Sequence, residues 1–274
     1  MEESLPKDNE NVPLRQANRE DLIYGLIPVL EALKAGKRTI DSITIAEGSR
    51  HERLRELLAL AKNARVPVHR VPRAVFNRSW KDITHQGIIA RVAAARYSDA
   101  DELLEQFVAG SSEDVAPLFL VLDGIEDPRN LGAILRTAEC AGVDGVFIPE
   151  RRSVSLTETA AKAAAGAVEY VPLARVTNIV RLIEQLKERN IWVVGADAEA
   201  PSDYTDWDWT LPSAIVLGSE GSGLHRLVRE RCDKLVRIPV LGHLKSLNVS
   251  VAAGVLLYEA IRQRGRLNSV TKYN

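Results

Sequence analysis

Five polar residues fall where an α/β protein keeps its chemistry. Asn130 and Arg136 follow the apolar run PLFLVLDGI, Glu220 follows AIVL, and Ser246 and Asn248 follow KLVRIPV. In an open parallel sheet, ligands bind beyond the carboxyl ends of the strands. The turns at those ends are built of small residues: GADAEAP after IWVV, GSEGSGL after AIVL, and LGHLKSLN after VRIPV. Glycines there let backbone N–H and C=O groups approach a flat or extended ligand closely. Each side chain also has a plainer duty open to it. Asn130, after Pro128, suits a helix N-cap, and Glu220 suits a cap of the helix that follows it. Arg136 sits among Leu131, Ile134, Leu135 and Ala138, so its guanidinium either reaches out to solvent along its stem or enters a polar pocket. What points to a site is that all five fall on the binding side. A common nucleotide site does not fit them. No Gly-Lys-Ser/Thr phosphate loop is present, and GSEGSG lies too late for a dinucleotide fingerprint, which belongs after the first strand.

These positions demand a definite scaffold. PLFLVLDGI, GVFIP, IWVVGAD, AIVLGSE and KLVRIPV read as strands. Between them NLGAILRTAECAG, stopped by Gly142, LTETAAKAAAG, capped by Ser155 and ended by Gly166, TNIVRLIEQLKERN, from a Thr–Asn cap, and LHRLVRERC read as helices. The alternation predicts an α/β fold with a parallel sheet covered on both faces. DYTDWDW, residues 203–209, reads as an irregular loop whose two tryptophans pack. From Val249 the closing helix is among the most apolar in the chain, yet its start holds Ser246, Asn248 and Ser250, more polar groups than one cap needs.

Upstream lies a second module. Residues 1–19 are polar and aperiodic, as in a flexible tail. LIYGLIPVLEALKAG reads as a helix ended by Gly36, SITIAEG as a strand, and ERLRELLALAKNARV as an amphipathic helix burying Leu54, Leu57, Leu58 and Ala61. VPVHRVPRAVF and QGIIARVAAA each contain a strand. Charge divides the chain in the same way. Residues 20–96 carry 14 Lys/Arg against 8 Asp/Glu, residues 97–114 carry six acids and no base, and residues 115–274 carry 19 of each. We expect a small α/β domain over 20–96, a flexible acidic linker over 97–114 and the α/β domain over 115–274. Arg70, Arg73, Arg78 and Lys81 surround Phe76 and Trp80. They suit phosphate contact with base stacking, unless the aromatics are core and the basic residues a solvated face. Two cysteines make no disulfide framework and no metal-type pair, the N-terminal stretch has no apolar leader core, and no run of about 18 apolar residues occurs. A cytoplasmic, membrane-free protein is expected.

LDGIEDPRNLGAILRTAECAGVDGVFIP, IVLGSEGSGL and IPVLGHLKSLNVSVAAGVLLYEA, in this order and spacing, resemble the three motifs of the SpoU (TrmH-type) RNA ribose 2′-O-methyltransferases, across nearly all of residues 115–264. YGLIPVLEAL, IAEG and HQGIIARV, over residues 22–92 or so, resemble more loosely the L30e-like substrate-binding domain of the subgroup that methylates a guanosine ribose in 23S (large-subunit) ribosomal RNA. The resemblance implies a SPOUT α/β-knot, a deep trefoil knot that ordinary connection rules would reject. It implies a homodimer through the knotted region, S-adenosylmethionine as methyl donor, no metal, and RNA as substrate. It maps donor contacts onto Gly218, Ile238 and Leu247, and the active-site polar set onto Asn130, Arg136, Glu220, Ser246 and Asn248. On that mapping the first turn of the closing helix is polar because it lines the pocket. Ser246 and Asn248 would orient Arg136 or the ribose, and Leu247 would pack on the donor.

Other functions leave different marks. A tRNA ribose methyltransferase shares the same three motifs. A non-catalytic RNA-binding protein on a degenerate methyltransferase fold would lack the arginine or the Ser-Leu-Asn, and both are present. An NAD-dependent oxidoreductase would carry the early glycine fingerprint, which is missing.

Overall fold

The computed structural model describes residues 22–81, 85–93, 97–110, 116–151 and 153–265. The expected tail over 1–19 lies outside the described residues. The chain forms two compact units, residues 1–94 and 95–274.

In the first unit, strands β1 (Leu22–Tyr24), β2 (Ile40–Ala46), β3 (Val68–Val71) and β4 (Ile88–Val92) form a sheet in the order β1-β4-β2-β3. Only β2 and β3 run parallel. Helix α1 (Leu26–Ala35) buries Leu26, Val29, Leu30 and Ala32, and ends at Gly36 in the left-handed conformation. The helix expected from Leu22 begins later, because Gly25 has φ 90 and turns strand into helix. Helix α2 (Leu54–Asn63) turns Leu57 and Ala61 inward. The expected stretch VPVHRVPRAVF splits into β3 and a short helix, α3 (Arg73–Ser79), after Pro72. Phe76 is fully buried and Trp80 nearly so, which removes both as stacking platforms. The basic residues around them, Arg70, Arg73, Arg78 and Lys81, are exposed.

The second unit begins with a correction. Ala100–Gly110, expected to be a flexible linker, is a helix, α4, with Leu103 and Leu104 buried. Asp99 caps it through the backbone N–H groups of Asp101 and Glu102. Two leucines on an amphipathic turn outweigh the acidic composition, since the carboxylates stay in water. Ahead of the helix, the Tyr97 hydroxyl accepts hydrogen bonds from Leu156 N (3.0 Å) and Arg175 (2.9 Å).

Seven parallel strands follow: β5 (Leu118–Asp123), β6 (Gly145–Pro149), β7 (Leu173–Val176), β8 (Trp192–Ala196), β9 (Ser202–Asp203), β10 (Ser213–Gly218) and β11 (Lys234–Arg237), in the order β7-β6-β5-β10-β8-β11-β9. All six residues of β5 are buried, as an inner strand covered on both faces requires. Helices α5 (Pro128–Cys140), α6 (Glu158–Ala164) and α9 (Val249–Gln263) contribute to one apolar cluster, and α4, α7 (Ile179–Glu188) and α8 (Arg226–Arg231) to the other. The short β7 and β9 were not anticipated, because LARV and SD carry no apolar run. Thr157, not Ser155, caps α6. Trp209 is fully buried and Trp207 packs edge-on against Trp192, so the two tryptophans of the 203–209 loop do pack.

Gly132 lets α5 lie against α6. A Cβ there would stand 2.4 Å from the Ala160 carbonyl oxygen and 2.5 Å from the Ala163 Cβ. Backbone cannot swing aside, so Gly132→Ala is expected to push the helices apart at a cost of about 1–3 kcal/mol. Thermal unfolding should then fall by about 2–4 °C per kcal/mol. An unchanged melting temperature would contradict this packing.

Candidate active site

A cavity of about 480 Å³ opens at the carboxyl ends of β8, β10 and β11, closed on one side by the approach to α9. Five of the eight sequence-derived site residues line it: Gly218, Glu220, Ile238, Ser246 and Leu247. Gly218 and the turn behind it form its floor. Ser219 and Gly223 exchange two backbone hydrogen bonds of 3.0 Å, with Gly223 at φ 67. A Cβ on Gly218 would stand 2.1 Å from the Gly223 carbonyl carbon, so no other residue fits.

Asn130 and Asn248 join the site through hydrogen bonds. Asn130 is not the cap of α5; Asp127 is, accepting from Arg129 N at 2.8 Å with Pro128 in the first turn. That frees the Asn130 amide to donate to Glu220 Oε1 and to accept from Asn248 Nδ2 at 3.1 Å. The direction of this relay is fixed at its far end. Asn248 caps α9, its Oδ1 accepting from Ser250 N (2.9 Å) and Ser250 Oγ (2.6 Å). Its Nδ2 must therefore point to the Asn130 oxygen, and the Asn130 nitrogen to the carboxylate. Three segments, the β10 turn, α5 and α9, are tied together by one polar chain. The polar start of α9 thus has three duties: Asn248 caps and relays, Ser250 supports the cap, and Ser246 faces the cavity.

Arg136 stands apart. It lies two turns along α5 from Asn130, is exposed, and makes no side-chain hydrogen bond among the described residues. Of the two courses open to it, the stem reaching into solvent is the one the fold adopts.

Other residues at this edge carried weaker signals. Asp123 ends β5 nearly buried, with Oδ2 accepting from His225 N (2.7 Å) and Oδ1 paired with His225 Nδ1 (2.8 Å). An acid closing the run PLFLVLD needs such partners when buried, and that was the sign to read. Asp197, in the turn after β8, accepts from Arg229 Nε and from Glu199 N at 2.8 Å. Burial pushes its carboxyl up, but these bonds outweigh burial and hold it below its ordinary value. Neither cysteine is a poised nucleophile. Burial pushes the Cys232 thiol up to about 12, and burial beside Glu139 raises Cys140.

A parallel α/β sheet with glycine turns and a polar relay at its carboxyl edge, in a chain that also holds a small α/β unit, defines a two-unit α/β protein with a cavity in its second unit. Residues 117–258 match the SpoU rRNA methylase family, and residues 22–98 match the RNA 2′-O ribose methyltransferase substrate-binding family. The chain belongs to the SpoU family. It is 43% identical over 248 residues to the Bacillus subtilis protein YacO, assigned by name to the TrmH family of tRNA/rRNA methyltransferases, covering 90% of this chain and 98% of that one. The fold is shared with an AdoMet-bound rRNA methyltransferase from Sinorhizobium meliloti, with TM-score 0.67 and 25% identity, over 88% of this chain and 86% of that one. It is also shared with a TrmH/SpoU tRNA-modifying enzyme from A. aeolicus, with TM-score 0.51 and 29% identity, over 61% of this chain and 85% of that one.

Proposed function

We propose that this protein transfers a methyl group from S-adenosylmethionine to a ribose 2′-oxygen of RNA, on a guanosine of 23S ribosomal RNA, and works as a homodimer in the cytoplasm. The observation that carries the reading is the relay from Asn248 through Asn130 to Glu220, whose last member lines a cavity where position 218 admits only glycine. Support for ribosomal RNA comes from coverage. The rRNA methyltransferase from Sinorhizobium meliloti aligns with 88% of this chain, whereas the tRNA-modifying enzyme aligns with 61%.

The cavity fits the donor. It offers glycine backbone at Gly218 and apolar faces at Ile238 and Leu247, which together suit a flat base. S-adenosylmethionine, when bound, supplies a methyl group on a sulfonium, an electrophile strong enough for direct transfer. The protein's task is to place the 2′-oxygen in line and to stabilise it as its proton leaves. Glu220 is held at the cavity wall by Asn130, so its carboxylate orients neighbouring donors. Arg136 reaches outward from the helix that carries Asn130 and is exposed, open to an RNA phosphate or ribose. A guanidinium keeps its proton at physiological pH, so its role is to stabilise oxyanion charge or to grip the adjacent phosphate rather than to act as base.

The homodimer reading rests on exposed apolar side chains outside the cavity: Leu241, Leu244, Val251 and Tyr258, from the last loop and α9. Several exposed apolar side chains close together in sequence suit a partner, and a second copy covering residues 115–274 around a knotted C-terminal end is the occupant we assign. Light scattering at micromolar concentration should give twice the chain mass; a monomer would refute the assignment. Gly218→Ala should weaken S-adenosylhomocysteine binding at least tenfold, because the clash is with backbone; calorimetry showing wild-type affinity would remove Gly218 from the donor site. The function itself is tested by incubating the protein with labelled donor and either 23S ribosomal RNA or tRNA, then mapping 2′-O-methylated positions. Label in tRNA alone would replace the ribosomal reading, and label in neither would overturn the activity.

A further inference from the structure

The turn GADAEAP is the part of the cavity wall that the family motifs leave without a role. Its strand, β8, is hydrogen-bonded to β10 on one side and β11 on the other. The turn therefore emerges between Gly218, which ends β10, and Ile238, just beyond β11. Asp197 N donates to Val236 O at 2.9 Å, which holds the turn against the β11 edge. Both Asp197 and Glu199 line the cavity.

The two acids are not equivalent. Asp197 is committed to Arg229 and to the Glu199 backbone N–H. Those bonds fix the turn and so fix where residue 199 projects. Glu199 is exposed, and its carboxylate accepts no hydrogen bond among the described residues. Arg229 attracts the Glu199 carboxylate without a hydrogen bond to it, so a carboxylate on the cavity wall between the two proposed donor contacts keeps both oxygens open to the donor. The base needs apolar faces, which Ile238 and Leu247 supply. The sugar is one glycosidic bond from the base and carries two adjacent hydroxyls, donors that match a carboxylate's two oxygens. The amino-acid end carries a carboxylate of its own, which Glu199 would repel. Lys245, beside Ser246 on the same cavity wall, is the cation suited to that end.

We propose that Glu199 accepts hydrogen bonds from the ribose hydroxyls of the methyl donor, on a turn set by the Asp197–Arg229 pair. This rests on the reading that the cavity takes S-adenosylmethionine. The test is calorimetry on the full-length protein with S-adenosylhomocysteine, with its 2′-deoxy and 3′-deoxy analogues, and with methylthioadenosine, which keeps the sugar but lacks the amino-acid end. The wild type should lose about tenfold in affinity when a bonded hydroxyl is removed, as expected for hydrogen bonds to a charged group. Glu199→Ala should lose about tenfold toward S-adenosylhomocysteine and should then be nearly indifferent to the missing hydroxyl. It should lose as much toward methylthioadenosine. Glu199→Gln should fall between, and circular dichroism of both variants should match the wild type. Additive losses from variant and analogue would overturn the assignment, as would a Glu199→Ala protein of wild-type affinity. A loss toward S-adenosylhomocysteine that vanishes with methylthioadenosine would move the contact to the ammonium group and also overturn it. A wild type that binds none of the four ligands refutes the donor cavity itself, and this inference falls with it.

Discussion

Arg136→Ala is expected to lower methyl transfer by about a thousandfold while leaving S-adenosylhomocysteine affinity within about twofold of wild type. The size follows from the role proposed for Arg136, a charged donor to developing negative charge, whose removal costs about 10²–10³ in rate where such a donor has been isolated. The selectivity follows from geometry. Arg136 is exposed on α5 and is not part of the cavity wall, whereas the proposed donor contacts come from β10, β11 and the start of α9. Nor should the variant unfold, since the guanidinium makes no side-chain hydrogen bond that folding depends on among the described residues. Arg136→Lys keeps the charge but loses the fork, so it should recover only part of the rate if the partner is a phosphate held by two bonds. Single-turnover transfer and calorimetry on the same preparations decide the matter. Methylation within a few-fold of wild type in Arg136→Ala would remove this residue from the mechanism. A parallel loss of donor affinity would instead place it in the donor site.

Much of the second unit was legible because its inner strands are apolar on both faces and its helices carry ordinary stop signals. PLFLVLD, GVFIP and AIVLG are each strands within a residue or so of where the pattern puts them. The misreadings share a cause, which is competition between adjacent signals. In DPRN both Asp127 and Asn130 suit a cap. Proline at the first helical position decides for Asp127, and only then is Asn130 released to the relay. In SLTET both Ser155 and Thr157 suit the cap of α6, and Thr157 takes it. The acidic segment over 97–114 was misread because charge density was weighed over periodicity, although Leu103 and Leu104 suffice to seat α4. The Asn248–Asn130–Glu220 chain was legible as a set of residues but not as a set of bonds. Its partners are 118 and 90 residues apart, and no local pattern tells which amide faces which carboxylate. The turn GADAEAP was legible as a ligand turn, but Asp197 and Glu199 were not singled out in it, because no local pattern tells that both line the cavity.

A chain trimmed to residues 95–274 is expected to fold, to pair and to bind S-adenosylhomocysteine like the full protein, yet to bind ribosomal RNA fragments far more weakly. The trimming point matters. Cutting at residue 115, where charge alone would put the boundary, removes α4. It then exposes the apolar surface that Leu103 and Leu104 cover, at about 1.5–3 kcal/mol for each leucine. The 115–274 chain should therefore melt lower than the 95–274 chain, and any loss of its RNA binding would be confounded by instability. For the longer piece the loss has a single source. The excess of 14 basic over 8 acidic residues lies in 20–96, while residues 115–274 are neutral. Arg70, Arg73, Arg78 and Lys81 are exposed there, whereas Phe76 and Trp80 are buried and cannot stack on bases. If those four make phosphate contacts, the plot of log affinity against log salt should be shallower by about 3 in the 95–274 chain, because each lost contact removes roughly 0.7–0.9 of slope through counterion release. Changing all four to alanine in the full chain should reproduce that change while the melting temperature stays put. A 95–274 chain that methylates the same RNA as fast as the full protein would show that the first unit does not select the substrate. Equal salt slopes in the two chains would show that its basic residues are a solvated face and nothing more.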